Sequence, residues 1–267
     1  AAAQQSSEDE PLTLQAYRLS NGTEIQLDGR IEEEFWSLAV PISDFTQQDP
    51  VEGGEPSERT EVWVAYDDDN LYIGAIIYDD PDGILAFQRE RDAFLSTDDS
   101  FQWILDTFQD GRTGYFFEIN PSGSMGDSLV FPAGEQQRAW DGIWTARIRR
   151  TDVGWIAEIE IPFRTLNFNP DGGAWGINFQ RTIRRKNEES IWNGFARNQD
   201  LRTMSNAGLL TGVSEVNQGI GLDVKPYVVG SSLYDSRRPD PNNQTLYTGD
   251  TGLDFVYSLT ADLRASF

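Results

Sequence analysis

The chain has 267 residues, with 21 Lys plus Arg against 44 Asp plus Glu, a formal net charge of −23. Phosphate binding needs a basic surface, so nucleic acids are excluded as partners, and anionic membrane surfaces are disfavoured on the same ground. With neither cysteine nor histidine, disulfides, thiolate nucleophiles, zinc sites built on those residues and Ser-His-Asp machinery are all ruled out.

Taken in chain order, Ala1-Ala2-Ala3-Gln4-Gln5 has the small residues left at a signal-peptidase site, which points to export to the cell surface, outer membrane or extracellular space. Residues 1–14 form a polar tail, and the stretch 1–58 holds 13 acids and two basic residues. Weak alternation over Leu12–Leu19 and Glu24–Leu27 fits an edge strand. A short helix is expected from Asp28 to Trp36, with Glu32, Glu33 and Glu34 in its first turn where the helix dipole favours acids. Strands then follow at 61–66, 71–78, 100–106, 113–119, 126–131, 143–150, 154–161 and 174–184, separated by turn sequences such as Asp67-Asp68-Asp69-Asn70 and Asn120-Pro121-Ser122-Gly123. Within 154–161, Trp155, Ala157, Ile159 and Ile161 share a face opposite Ile156, Glu158 and Glu160. Within 174–184, Trp175, Ile177, Phe179 and Ile183 oppose Asn178, Gln180, Thr182 and Arg184, so one face is core and the other wet. Many short strands at this spacing describe an all-β, antiparallel β-sandwich, immunoglobulin-like or jelly-roll-like. No run reaches the ~18 apolar residues of a membrane helix.

Composition changes near Val213. Residues 219–267 read as a two-stranded extension: GIGLDVKPYVVGSSLYD, a Pro- and Asn-rich loop, then a stretch in which Leu253, Phe255, Tyr257, Leu259, Ala261, Leu263, Ala265 and Phe267 alternate with mostly polar partners, as barrel strands do. A lone hairpin has unpaired edges that template another chain. Three arrangements relieve this: a longer barrel, folding back on the sandwich, or pairing with a neighbouring subunit.

The ordered motifs LDGRIEEEFW, SERTEVWVAYDDDNLYIG, DTFQDGRTGYFFEINPSG, WDGIWTARI, GWIAEIEIPF and WGINFQRTIRRKNE resemble the family 9 carbohydrate-binding-module-like domain. More narrowly, the chain is similar to a bacterial family of unknown function in which that domain precedes an outer-membrane β-barrel. The resemblance covers residues 15–215 and implies the sandwich fold, with glycan binding by analogy.

Sugars stack their CH faces on Trp or Tyr while Asp, Asn and Arg take the hydroxyls. Of eight Trp residues, Trp36, Trp63, Trp103, Trp155 and Trp175 read as core. That leaves Trp140, Asp141 and Trp144, and Trp192 with Asn193 and Arg197, as candidate ligand contacts. Calcium suits clustered oxygen ligands, and Asp79, Asp80, Asp82, Asp98, Asp99 and Asp127 are the candidates, although none has EF-hand spacing. Glu158 and Glu160 share a strand face, but an exposed sandwich face offers no cleft for hydrolysis, so no catalytic residue is expected. The basic run Arg181, Arg184, Arg185 and Lys186 is expected to pair with the acidic N-terminal region or a neighbouring subunit. A ligand carboxylate, such as that of a uronic acid, is its functional alternative.

The sequence therefore reads as an exported, non-catalytic module binding a polysaccharide. One alternative is a self-assembling extracellular subunit, a homo-oligomer or polymer joined by strand donation through residues 219–267 and by calcium bridging. The other is the periplasmic portion of an outer-membrane barrel protein.

Overall fold

The computed structural model describes residues 10–169, 172–217, 222–234, 245–260 and 263–266. The chain divides into two compact units, residues 1–218 and 219–267.

The first unit contains β1 (Thr13–Gln15), β2 (Tyr17–Arg18), α1 (Glu34–Leu38), β3 (Thr46–Asp49), β4 (Thr60–Tyr66), β5 (Asn70–Tyr78), β6 (Ser100–Asp106), β7 (Gly114–Ile119), β8 (Met125–Val130), β9 (Gln136–Gln137), β10 (Thr145–Thr151), β11 (Gly154–Pro162), β12 (Ala174–Ile183), β13 (Glu188–Ile191) and β14 (Gly208–Thr211). They form two sheets. The smaller runs β10-β11-β5-β4-β2; the larger runs β1-β14-β12-β6-β7-β8-β9, with β13 and then β3 extending from β12. The N-terminal segment belongs to both sheets, because β1 adds in parallel to β14 and β2 adds in parallel to β4. All other pairings in this unit are antiparallel.

Local chemistry explains the central hairpin. Asp67 Oδ1 accepts the amides of Asp69 at 2.8 Å and Asn70 at 2.7 Å, a side-chain turn that reverses the chain between β4 and β5. Alternation then sends Val62, Val64, Leu71, Ile73, Ala75 and Ile77 inward to meet Phe101, Trp103, Leu105, Phe117, Ile159, Ile161, Trp175 and Phe179 of the neighbouring strands. Aromatic rings interlock at the centre: Trp103 stacks on Phe117 at 5.3 Å, and Trp144 meets Trp103 edge-on at 5.5 Å.

Two further layers cover parts of the outer faces. On the smaller sheet, Phe35 and Trp36 of α1 pack with Leu19, Trp63, Ala65 and Tyr72. Gly74 makes this close approach feasible, since a Cβ there would lie 2.7 Å from Ile31 and 3.1 Å from Trp36. This cover corrects the expectation of an exposed Glu158 face, because Glu158 is fully buried beneath the Asp28–Gly29 turn and α1. Trp63 correspondingly faces this second layer rather than the sandwich centre. On the larger sheet, Leu201 and Met204 pack over Ile104, Phe116, Val130 and Ile191. The expected helix is shorter than its sequence signal, occupying only Glu34–Leu38, with Glu33 extended at its N-cap.

The second unit contains β15 (Leu222–Tyr234), β16 (Thr245–Thr260) and β17 (Leu263–Ser266), in that order in one antiparallel sheet. Two strands are expected here and three are described. The period-2 pattern of the sequence runs unbroken from Leu253 to Phe267, so it carries no mark of where β16 ends and β17 begins. Among the described residues no helix is long and apolar enough to cross a membrane.

Candidate ligand-binding site

Leu201 and Met204 cover only part of the larger sheet's outer face. The remainder is a polar cleft of about 370 Å³, within the ~300–1,000 Å³ span of small-ligand sites. Its floor consists of alternate residues on adjacent strands. Gln180 of β12 lies directly opposite Gln102 of β6, which lies opposite Glu118 of β7. A second row runs Glu189 (β13), Thr182 (β12), Ser100 (β6). Walls come from Phe94–Ser96, from Gln48, Asp49 and Arg197, from Gln199–Arg202, and from Gln136 and Arg138.

A hydrogen-bonded lattice sets these side chains. Gln102 Nε2 donates to Glu118 Oε2 at 3.2 Å, and Arg138 reaches Glu118 Oε1 at 3.3 Å. Glu118 lies over Gly126, where a Cβ would stand only 2.9 Å from Oε1. Gln180 Nε2 donates to Glu189 Oε2 at 3.2 Å and Gln48 Oε1 at 3.4 Å. Gln48 Nε2 in turn donates to the carbonyls of Ala196 and Gln199 at 3.1 and 2.8 Å, holding the far wall. Arg197 pairs with Asp49 at 2.9 Å, and Arg202 with Asp200. Phe94 stands at the rim, 73% exposed, with the Arg138 guanidinium 4.7 Å from its ring centre.

Charge states follow from these surroundings. Burial pushes the Glu118 carboxyl up against the opposing pull of Arg138. Burial likewise raises Glu189, opposed by Arg184. The hydrogen bond from Arg202 holds Asp200 below the usual carboxylate range. The cleft therefore offers planar amides, carboxylates and guanidiniums around one exposed aromatic ring, a donor and acceptor set suited to a hydroxyl-rich ligand.

Of the residues expected to contact a sugar, Arg197 alone lines this cleft, together with Arg184 of the basic run. The structure corrects the expectation that Trp144 and Trp192 lie outside the core, for they are 6% and 3% exposed. Trp144 Nε1 donates to Asp127 at 2.7 Å, and Trp192 packs against Phe179. Trp140 is half-buried, leaning on Tyr115 and Phe117. Asp141 is exposed and 3.6 Å from Arg91. Asn193 is used structurally, accepting from the Leu12 amide and donating to the Asn206 carbonyl.

Asp79, Asp98, Asp99 and Asp127, expected to hold calcium, are engaged within the fold. Asp79 pairs with Arg181 at 2.9 Å and Arg185 at 2.5 Å. Asp98 accepts the amides of Phe87 and Gln88 and the Asn120 side chain, each at 2.8 Å. Asp99 accepts the amides of Leu85 and Arg184, and Asp127 takes Trp144, Gly142 and Arg91. Asp80 caps the turn to Asp82, both exposed. Among the described residues no group of three or more acidic side chains gathers to hold a metal ion.

Of the cleft residues that sequence reasoning missed, Gln102 and Glu118 carry a faint signal: each is a polar residue between apolar neighbours on a strand, the same alternation that sets Gln180, Thr182 and Arg184 opposite the core face, whereas Glu189, between Glu188 and Ser190, carries none. Without a known pairing order, that alternation marks a wet face but not a shared one.

No protein-family model matches this sequence, and no curated protein matches it either. Solved structures do. A family 9 carbohydrate-binding module from Caldicellulosiruptor kristjanssonii, in complex with cellotriose, superposes with a TM-score of 0.54 at 15% identity, covering 75% of this chain and 93% of that one. The same organism's module in complex with glucose gives 0.54 at 14% identity, covering 76% and 96%. A Bacteroides uniformis protein proposed to bind carbohydrate gives 0.60 at 11% identity, covering 76% and 99%. The sandwich of this chain therefore has the fold of the family 9 carbohydrate-binding modules.

Proposed function

We propose that the first unit is a non-catalytic module that binds a saccharide in the cleft on the outer face of its larger sheet, in an exported protein. The observation that carries this reading is the row Gln180, Gln102, Glu118, backed by a lattice of side-chain hydrogen bonds and rimmed by Phe94. Such a floor matches the alternating donors and acceptors of sugar hydroxyls, and an exposed ring supplies a surface for CH faces. The sugar complexes of the similar modules support the ligand class.

The test is calorimetric titration of the full chain with a panel of oligosaccharides, repeated on the double variant Gln102→Ala, Gln180→Ala. Binding that is lost in the variant, with the fold retained by circular dichroism, is the expected result. Binding unaltered by the two substitutions would move the site elsewhere and sink this reading.

A second reading concerns residues 219–267. Strands of 13 and 16 residues expose Val228, Tyr247, Tyr234 and Leu233 at 81%, 78%, 65% and 62%, more apolar surface than a three-stranded sheet keeps in water unaided. This supports a pairing element that adds strands from another copy or from a longer barrel. Light scattering and electron microscopy of the chain, with calcium and then with chelator, test it. A monodisperse monomer in both conditions removes the self-assembly form of this reading.

A further inference from the structure

Resting on the saccharide reading above, we infer that the cleft takes an acidic sugar, one bearing a carboxylate or sulfate whose oxygens are received by Arg184. Four guanidiniums line the cleft, and three are committed: Arg138 to Glu118, Arg197 to Asp49 and Arg202 to Asp200. Arg184 has no ion pair among the described residues, and its Nε is buried without a hydrogen-bond partner. Its neighbours in sequence turn the other way, Arg185 to Asp79 at 2.5 Å and Lys186 to Glu58 at 2.6 Å. Other arginines of the first unit also stand without an ion pair, but among the described residues Arg184 is the one that lines the cleft and carries a buried, unpartnered Nε.

The position of Arg184 is fixed. Its main-chain amide donates to Asp99 Oδ1 at 2.6 Å, and Asp99 is itself buried, its other oxygen accepting the Leu85 amide at 3.0 Å. Glu189 is the competing acid in the cleft. Its carboxylate accepts from Gln180 and stands beyond ion-pair distance of Arg184, which leaves the Arg184 fork open. A guanidinium presents parallel N–H donors matched to the oxygens of a carboxylate or sulfate. The net charge of −23 repels anionic polymers at large, so selection of an acidic unit depends on this one contact.

The experiment titrates the full chain with a uronate trisaccharide, its carboxyl-reduced neutral counterpart, and a neutral trisaccharide carrying one sulfate ester. The expected result is tighter binding of an acidic ligand than of the neutral one, with the uronate and sulfate arms identifying which oxyanion is read. Arg184→Met should weaken the acidic ligand about 10- to 100-fold and leave the neutral one unchanged, reversing the preference. Arg184→Lys keeps the charge without the planar fork, should lose about tenfold or more, and carries the test if the Met variant does not fold. Neutral and acidic ligands binding alike, with both variants behaving as the parent, would overturn the acidic assignment while the saccharide reading stands. No binding of any of the three would overturn both.

Discussion

Arg181 and Asp79 meet at 2.9 Å with 3% and 1% of their side-chain surfaces exposed, joining β12 of the larger sheet to the end of β5 in the smaller. Arg181 also donates to the carbonyls of Glu58, Arg59 and Tyr78 and to the Thr60 hydroxyl, so one guanidinium satisfies the ends of several elements. Burial lowers its proton affinity, and Asp79 acts against that fall. Removing one member of a buried pair leaves the other uncompensated, at a cost of ~3–5 kcal/mol. Arg181→Leu should therefore lose that much in urea unfolding. Arg185→Met, which removes the more exposed partner of Asp79, should cost about 1 kcal/mol or less. Equal losses in the two variants would contradict the assignment of Arg181 as the clasp.

Glu158 gives the fold a dependence on pH. Burial pushes its carboxyl from 4.5 up to about 7, against the lowering effect of the Asp28 and Gly29 amides, which it accepts at 2.9 and 3.1 Å. Because the folded value is raised, the group's stabilising effect is fully present below about 4.5 and is lost as pH rises through about 7. That displacement corresponds to something on the order of 3 kcal/mol. Glu158→Gln cannot ionise, so relative to the parent its stability should gain by that order between pH 4 and pH 8. Comparing the two proteins isolates this carboxyl from Glu118, Asp127 and Glu189, whose values are also raised by burial. Stability curves that stay parallel across the range would remove Glu158 from the pH response.

Much of the sandwich was legible from alternation alone. Trp155, Ala157, Ile159 and Ile161 share a strand face and are all essentially inaccessible, and so are Trp175, Ile177 and Phe179 on β12. Strands β3, β9, β13 and β14 were not, because Thr46–Asp49, Gln136–Gln137, Glu188–Ile191 and Gly208–Thr211 are two to four residues long and are ordered by pairing partners remote in sequence. The site was harder to read for a related reason. Tryptophans draw attention as sugar platforms, yet large aromatic rings are also what fills a sandwich centre, and here Trp144 and Trp192 do so. Glutamine and glutamate at wet strand positions look ordinary until the register sets Gln180, Gln102 and Glu118 side by side.

Trp144 separates core from site. Its indole Nε1 donates to the buried Asp127, and its ring meets Trp103 and Phe117 edge-on. Trp144→Ala should cost ~3–5 kcal/mol as a cavity, with a further penalty for the lost donor. The milder Trp144→Phe should stay folded and bind saccharide as the parent does. A selective loss of affinity in the Phe variant, with stability unchanged, would return this residue to the ligand site.

Phe94 is expected to behave in the opposite way. It is 73% exposed, contacts solvent at the cleft rim and carries the Arg138 guanidinium at 4.7 Å. Little apolar area is buried there, so Phe94→Ala should change stability by no more than about 0.5 kcal/mol. A ring that stacks on a sugar face contributes ~0.5–1.5 kcal/mol beyond its area burial, so affinity should fall about threefold to tenfold. Phe94→Tyr keeps the ring and should retain binding, which separates stacking from any displacement of Arg138. Arg138 holds Glu118, and Glu118 receives Gln102. If Phe94→Tyr weakened binding as much as Phe94→Ala does, the rim would act through the Arg138–Glu118–Gln102 chain rather than through the ring face.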